Sequence, residues 1–491
     1  MRALGLPDTN KRKGARQMEY NIKHTGQVFT PDYLVDNILD IAGYEKDILD
    51  KHIIDNSCGD GAFLCNIVSR YIARSLILRL PTEAIRHGLE TYIHGVEIDP
   101  KAYSTCIENL TNLVCRWNLY DIKWDIRLKD ALSEHSYDGK MDFVVGNPPY
   151  VRVHNLGENY SEVKEYDFAK GGMTDLYLVF FELGFRMLKS GGRLCYITPN
   201  SWLSSVAGTN MRNYVRNHHN LVSITDLGHY QAFKATTYTI ISLFAKGLHQ
   251  DYFDYYEYDG HEKRGRFAAR LNYDLSFVGG QIYLGAPEAL EAFRLMRDAP
   301  KIVEVKNGFA TLADNVFIAA EFPFTKYVIP CLKASTGKWY KAFYPYDKDG
   351  KPLEESDIFS NNETAKYLNE RKDKLLKGRK ENVGWYLYGR TQALKDVYVP
   401  KISINTCIKD VGSIKLIQVN AGEGVYSGLY ILTSVPFEIV ERVLKSEDFI
   451  SYLRLIKKYK SGGYYTFNSK ELETYLNFKL SHYGKRKTYY N

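Results

Sequence analysis

HIIDNSCGDGAFL, residues 52–64, is a short β-branched run that ends in an acid, Asp55, and turns through Cys58-Gly59-Asp60-Gly61 into apolar sequence. The residues that follow, Leu64, Ile67, Val68, Tyr71 and Ile72, recur at helical spacing. Strand, glycine turn and helix in that order form the opening unit of an α/β sheet. Glycines in such a turn let backbone N–H groups approach a ligand with no Cβ in the way. Many tight turns use glycine for packing alone, so the segment needs support from its surroundings.

Upstream, Thr30-Pro31 reads as a helix start, with Thr30 as N-cap and Pro31 at the first helical position. Downstream, six more strands are expected at 92–98, 122–128, 141–145, 193–198, 223–227 and 237–245. Helices are expected at 101–117, 174–189 and 208–218. The alternation predicts a doubly wound, Rossmann-like parallel sheet of seven strands with helices on both faces. Ligands of such sheets bind at the carboxyl ends of the strands. Beyond 248 the texture changes. Residues 251–271 are charged and tyrosine-rich and read as a linker, and 272–491 read as a separate α+β domain with helices at 287–297, 363–378 and 436–445. The expected organisation is a basic tail over 1–25, a catalytic domain over 26–250, the linker, and the second domain.

A chain of 491 residues is long enough for two or three domains, and 45% apolar with 25% charged residues is ordinary for a globular protein. Seven cysteines without a CxxC pair argue against structural zinc and for a reducing, cytoplasmic setting. No metal is expected. The first 17 residues lack an apolar h-region, and no apolar run is long enough for a bilayer, so no membrane partner is expected. A net charge of +7 is compatible with nucleic acid but does not establish it. For the 40 tyrosines, base stacking is one use and biased genome composition the blander account.

The strand at 92–98 ends in Glu97-Ile98-Asp99-Pro100, one strand–helix–strand unit after Asp55. An acid there is placed to accept from ribose hydroxyls, while Asp99 before Pro100 reads as a helix cap. Asp130, after the third strand, offers another acid at the same rim. The strand at 141–145 runs into Gly146-Asn147-Pro148-Pro149-Tyr150. Two prolines fix an extended backbone and remove two donors, so what points outward are acceptors: the Asn147 side-chain oxygen and the Pro148 carbonyl. Two acceptors on an NH2 group favour its pyramidal, nucleophilic form and gain strength as positive charge develops. Tyr150 supplies a flat face for a ring.

Gly26–Pro31, the segment 55–64, the segment 95–100 and Asn147–Tyr150 occur in the order seen in the gamma class of N6-adenine DNA methyltransferases, the TaqI-like enzymes of restriction–modification systems, which this chain resembles over its first half. The segments 175–177 and 191–203 are similar to that family as well. The resemblance implies an enzyme that uses S-adenosyl-L-methionine and flips its target adenine out of double-stranded DNA. It implies that Thr30 and Asp55 hold the methionine part of the cofactor beside the turn of Cys58, Gly59 and Gly61. Glu97 would bind the ribose, Ile98 and Asp130 the adenine ring. Asn147 and Pro148 would receive the target amine, and Tyr150 would stack on the flipped base. Phe233 would take the second face, with Tyr230 its rival. The sequence departs from the family at Asn56, where proline is frequent, and at Asp60 between the glycines.

The second domain is the expected reader of DNA. Its basic candidates are Arg371, Lys372, Lys374, Lys377, Arg379 and Lys380, then Lys457, Lys458 and Lys460, then the tail at 485–487. Segments 306–317 and 385–390 resemble the TaqI-like specificity domain more faintly. A monomer is expected, with a cognate restriction endonuclease acting separately. The rivals are a protein-glutamine methyltransferase, which also presents Asn-Pro-Pro-Tyr to an NH2, a DNA-gripping subunit without activity, and a fused methyltransferase–nuclease. Against the last, the catalytic segments begin by Gly26 and no acid–acid–lysine set stands out in the second half.

Overall fold

The computed structural model describes residues 30–153, 163–170, 174–233, 237–377 and 384–487, with side chains to 481. The expected basic tail, the residues Gly26–Phe29 of the first motif, Arg379, Lys380 and the side chains of 485–487 lie outside the described residues. The chain divides into two units, one ending at Leu290 and the other beginning at Glu291.

In the first unit, β1 (Ile53–Asp55), β2 (Ile93–Glu97), β3 (Asp125–Leu128), β4 (Met141–Gly146), β5 (Leu188–Pro199), β6 (Leu221–Asp226) and β7 (Thr239–Ala245) form one sheet. It continues through β8 (Tyr252–Asp259) and β9 (Arg264–Asn272), giving the order β3-β2-β1-β4-β5-β7-β6-β8-β9. The sheet is therefore nine-stranded and mixed, not seven-stranded and parallel. β7 runs antiparallel to both β5 and β6, and β9 antiparallel to β8. β1 to β5 are mutually parallel, and strand order reverses between β1 and β4. A crevice at that reversal, beyond the carboxyl ends, is where such a sheet accepts ligand.

The segment 251–271 is not a linker. Phe253, Tyr255, Ala269 and Leu271 are buried on one face, and opposite charges pair across the ladder on the other, as Arg270 does with Asp254 at 2.8 Å. The first unit runs to Leu290, well beyond the expected boundary at 250.

Helices flanking the sheet are α1 (Asp32–Ala42), α2 (Ala62–Ile77), α3 (Thr82–Tyr92), α4 (Pro100–Cys115), α5 (Leu176–Met187) and α6 (Thr209–His218). α3 was not expected; it buries only Ile85, Gly88 and Leu89. α1 starts one residue later than expected: Pro31 is its N-cap, and Thr30 makes no cap. α4 is capped by Asp99, which accepts from the Ala102 N–H at 2.8 Å, with Pro100 at its first position. Gly95 permits close approach of α2 to β2, since a Cβ there would stand 2.9 Å from Leu64 Cδ1.

The departure at Asn56 has a structural reason. Its amide is 1% exposed and accepts from the fully buried Tyr196 hydroxyl at 2.8 Å, joining the turn after β1 to β5.

Among the described residues the second unit shows no regular βα alternation. One sheet orders Glu304–Asn307, Leu429–Leu432, Lys401–Ile404 and Leu416–Val419, and another is built around Val328–Lys333 and Lys338–Phe343. The expected helix 363–378 is broken into Asn362–Asn369 and Lys372–Leu376. Tyrosines are core material here. Tyr344, Tyr388 and Tyr452 are buried and donate to the carbonyls of Leu394, Phe343 and Glu471 at 2.7–2.8 Å. A buried phenol needs such a partner, and the ring adds packing area.

Tyr196→Phe leaves the buried Asn56 oxygen without its donor and is expected to cost about 1–2 kcal/mol. Urea unfolding of the variant against the wild type reads this directly, and an unchanged midpoint refutes the role given to the bond.

Candidate active site

The rim is built where β1, β2 and β4 end side by side. Asp55, the last residue of β1, pairs in register with Gly95 and Val145, so β2 runs two residues and β4 one residue beyond it at the same edge. Gly146 must be glycine. Its φ is +151°, and a Cβ would lie 2.7 Å from Asp55 Oδ1.

Asp55 is 2% exposed and accepts from the Ser57 N–H at 3.0 Å. Burial pushes its carboxyl up to about 7, with a further push from Glu97 and an opposing pull from the Ser57 bond. Glu97, also buried, accepts from the Gly59 N–H and from the Asp99 N–H, each at 2.8 Å. Burial raises it as well, against those backbone bonds. Each oxygen keeps a second lone pair, so the carboxylate can still accept from a hydroxyl.

Gly59 and Gly61 take left-handed φ values of +57° and +89°. A Cβ on Gly59 would meet nothing within 4 Å, whereas one on Gly61 would meet Cys106 Sγ at 2.8 Å. Gly59 therefore faces open space and Gly61 packs. Cys58 is 4% exposed, and its thiol lies against Cys106 in the core, so only its backbone belongs to the rim. Ile98 is 60% exposed, an apolar side chain held out at the end of β2. Asp130 accepts from the Leu132 N–H at 2.9 Å and caps a short turn after β3.

At the end of β4 the Asn147 amide donates to Thr30 Oγ1 at 3.1 Å. Thr30 is buried, and this bond takes the place of the expected helix cap. With the nitrogen engaged by Thr30, the acceptor end of the Asn147 amide is its oxygen. The adjoining Pro148 is buried, and Tyr150 is half-buried. The Tyr150 hydroxyl donates to the Ile197 carbonyl at 3.1 Å, which fixes the ring. Phe233 stands edge-on to Tyr150, with centroids 6.4 Å apart and planes at 81°. Clamping a flat ring from both sides needs near-parallel planes, so one of the two must rotate to do it. Tyr230 is engaged elsewhere, by the Tyr33 hydroxyl at 2.8 Å and the Tyr258 ring at 5.0 Å.

In the second unit the basic candidates separate. Arg371 stacks at 3.8 Å over the Tyr367 ring and pairs with Glu370, so it packs rather than projects. Lys372 lies over Trp385 at 5.0 Å. Lys458 pairs with the buried carboxylate of Glu471. Lys374, Lys377 and Lys460 are exposed, and Lys457 ends a helix in the left-handed region. The segments around 306–317 and 385–390 meet through the Gly389 N–H on the Thr311 carbonyl at 2.9 Å. Beside that junction a cleft is lined by Lys306, Asn307, Thr391, Gln392 and Lys395. Of these, Thr391, Gln392 and Lys395 lie outside the segments that the sequence marked.

Residues 73–233 match the family model described as Eco57I restriction-modification methylase. The chain is 28% identical over 223 residues to the Type II methyltransferase M.PaeR7I of Pseudomonas aeruginosa, 44% of this chain and 39% of that protein. It is 24% identical over 480 residues to the Type II restriction enzyme and methyltransferase RM.Eco57I of Escherichia coli, 75% of this chain and 48% of that one. The chain thus spans less than half the length of these curated relatives. Among solved structures, the Type IIL restriction-modification enzyme MmeI in complex with DNA has a TM-score of 0.60 at 12% identity, covering 94% of this chain and 66% of that one. A nuclease-deletion mutant of the Type ISP enzyme LlaGI has a TM-score of 0.54 at 12% identity, covering 98% of this chain and 57% of that one. At such identity these two show a shared fold. These matches agree with the resemblance to restriction–modification methyltransferases that the ordered motifs carry.

The raised Asp55 carboxyl has a consequence for stability. An unfolded aspartate titrates near ~4, so between about pH 4 and 7 the folded chain holds a proton that the unfolded chain has released, and stability falls as pH rises through that window. Asp55→Asn removes the fall. The variant is expected to gain on the wild type at pH 8 and to lose that gain near pH 5. Urea midpoints at the two pH values test this, and a difference independent of pH rules it out.

Proposed function

We propose, from the premise that residues 73–233 match the restriction–modification methylase family, that this chain is a DNA methyltransferase acting on the N6 of an adenine extruded from duplex DNA. The observation that carries the reading is the bond from the Asn147 amide to Thr30, which sets an acceptor beside the Asp55–Glu97 rim.

The rim fits S-adenosylmethionine. Gly59 borders open space, Glu97 is positioned for ribose hydroxyls, and exposed Ile98 offers an apolar face to an adenine ring, with Asp130 in the turn that follows the next strand. Asp55 and Thr30 would hold the methionine part, where an ammonium group favours the ionised form of Asp55. When bound, the cofactor supplies an electrophilic methyl group. The chain's own residues do the rest. The Asn147 oxygen and Pro148 carbonyl accept the two hydrogens of the target amine, draw it toward pyramidal geometry, and stabilise the positive charge that develops on nitrogen. Holding donor and acceptor in line supplies the remaining advantage. Tyr150 offers its face to the extruded base, which offsets part of the few kcal/mol that unpairing costs. Neither a cysteine nor a metal has a part in this scheme.

The second unit would grip duplex DNA through exposed Lys374, Lys377 and Lys460 and through exposed Lys395 at the cleft, where Lys306 is paired with Asp396 at 3.0 Å. Phosphate contacts of this kind position the duplex, and Asn307, Thr391 and Gln392 are side chains able to read base edges. The name of RM.Eco57I, which joins both activities, favours a second reading in which methylation is fused to restriction. Magnesium-dependent cleavage of unmethylated DNA tests it.

Asn147→Ala is expected to lower methyl transfer at least about a hundredfold while cofactor affinity stays within about threefold. The measurement is tritiated methyl transfer into mixed-sequence duplex DNA followed by nucleoside analysis, with equilibrium dialysis for the cofactor. Label in N6-methyldeoxyadenosine from the wild type supports the reaction and target together. Near-normal turnover by the variant removes the acceptor role, and label in a glutamine peptide instead of DNA replaces the substrate.

A further inference from the structure

The β8–β9 hairpin lies beyond the seven strands that the sequence led us to expect, yet its turn reaches the rim. Tyr33, on the first turn of α1, shares a hydroxyl–hydroxyl hydrogen bond of 2.8 Å with Tyr230. Lys263, at the hairpin turn, sets its ammonium 4.7 Å from the centre of the Tyr33 ring. Its carbonyl accepts from the Asn37 amide, also on α1, at 2.5 Å. Tyr258, at the end of β8, packs its ring 5.0 Å from that of Tyr230. Gly260 in the turn lets Tyr230 come close: a Cβ there would stand 2.9 Å from Tyr230 Cδ2. Three elements thus converge on one side chain.

Tyr230 sits in the connection that leaves β6 at the same rim as β1 and β4. That connection includes Gly228 at φ +56°, whose N–H donates to Asp226 Oδ1 at 2.9 Å, and it carries Phe233, which stands edge-on to Tyr150. Tyr33 is likewise close in sequence to Thr30, the partner of Asn147. A single hydrogen bond therefore links the segment that holds the acceptor amide to the segment that carries the second aromatic ring.

We propose that Tyr33, Tyr230 and the β8–β9 turn form a strut that positions Phe233 for the extruded base. Tyr33 and Tyr230 are positioning residues: they act through the 228–233 connection and do not touch substrate. The inference rests on the reading that Tyr150 and Phe233 hold an extruded base, and it assigns the added hairpin a part in that step.

The test uses the full chain and a duplex with 2-aminopurine at the methylated position, whose fluorescence rises when the base leaves the stack. Tyr33→Phe and Tyr230→Phe keep both rings and remove only the hydroxyls. Each is expected to lower the fluorescence rise and raise KM for DNA about fivefold, with cofactor affinity and melting temperature near wild type. The double variant is expected to match either single one, because both act through one bond. Lys263→Met, which leaves the two hydroxyls in place, is expected to show the same effect more weakly. Phe233→Ala serves as the reference for a lost ring. If Phe233→Ala abolishes the fluorescence rise and the tyrosine variants leave it unchanged, the strut is overturned and the aromatic clamp stands. If the tyrosine variants lower kcat alone, or if their effects simply add, the strut is likewise overturned. A wild-type chain with no fluorescence rise overturns both the strut and the extruded-base reading beneath it.

Discussion

Two backbone N–H groups on one buried carboxylate tie the rim together. Glu97 takes the Gly59 N–H on one oxygen and the Asp99 N–H on the other, so the turn after β1 and the turn after β2 share a single anion. Hydrogen bonds to a charged group are worth about 1.5–3 kcal/mol each, enough to hold a glycine turn in a left-handed conformation it would otherwise sample with many others. Once that turn is fixed, Gly61 can start α2, Asn56 can reach Tyr196 on β5, and Asp55 is pressed against Gly146 at the end of β4. The Asn147 segment inherits its position from this chain of contacts. Thr30 adds the last constraint from the opposite direction, by way of α1.

The parallel half of the sheet was legible because its central strands are buried runs separated from one another by helical spacing, while the outer β3 buries only Ile126. β4, for example, is buried along its whole length and was expected within one residue of its observed bounds. The antiparallel half was less legible, for identifiable reasons. Residues 228–238 carry no helical pattern, and a parallel pairing of β6 with β7 would require a crossover there. That missing crossover was the available signal. β8 and β9 were taken for a linker because their outer faces are charged and tyrosine-rich, which in composition looks like solvated chain. The alternation of Phe253 and Tyr255 with Asp254 and Tyr256 carries the strand period, but it lies on an edge hairpin where only one face is covered. Helix α3 escaped for the same kind of reason, since its buried stripe is too thin to set a period.

At the site, the sequence placed Thr30 and Asn147 at the rim for separate reasons, and only the fold shows that they bond to each other. Motif order cannot reveal a contact between residues so far apart in the chain. The choice between Phe233 and Tyr230 was likewise open in the sequence, and the structure divides them by what each ring already touches. Charge clusters were the weakest guide. A run of lysines and arginines counts charge but not what the stems lie on, and Arg371 and Lys372 both lie across aromatic rings. The tyrosine excess resolves in a similar way, since many of those rings build the second core and hand their hydroxyls to backbone carbonyls.

The rim also discriminates between classes of ligand that share a glycine turn. In a dinucleotide fold the turn offers its N–H groups to a pyrophosphate. Here the Gly59 N–H is already donated to Glu97, and Asp60, whose carboxyl burial pushes upward, stands between the glycines. An incoming phosphate would meet one anion in its place and another beside it. A ligand that carries positive charge meets the opposite condition. Asp55, held near 7 by burial, is ionised more readily when a cation approaches, so the binding of such a ligand and the loss of that proton favour one another. Hydroxyls can then add to the lone pairs Glu97 retains, and a flat ring can lie on exposed Ile98. The departure at Asp60 therefore works in the same direction as Asp55 and Glu97. Together they would disfavour a phosphate at this turn and favour a sulfonium zwitterion with a ribose, the cofactor that the proposed reaction requires.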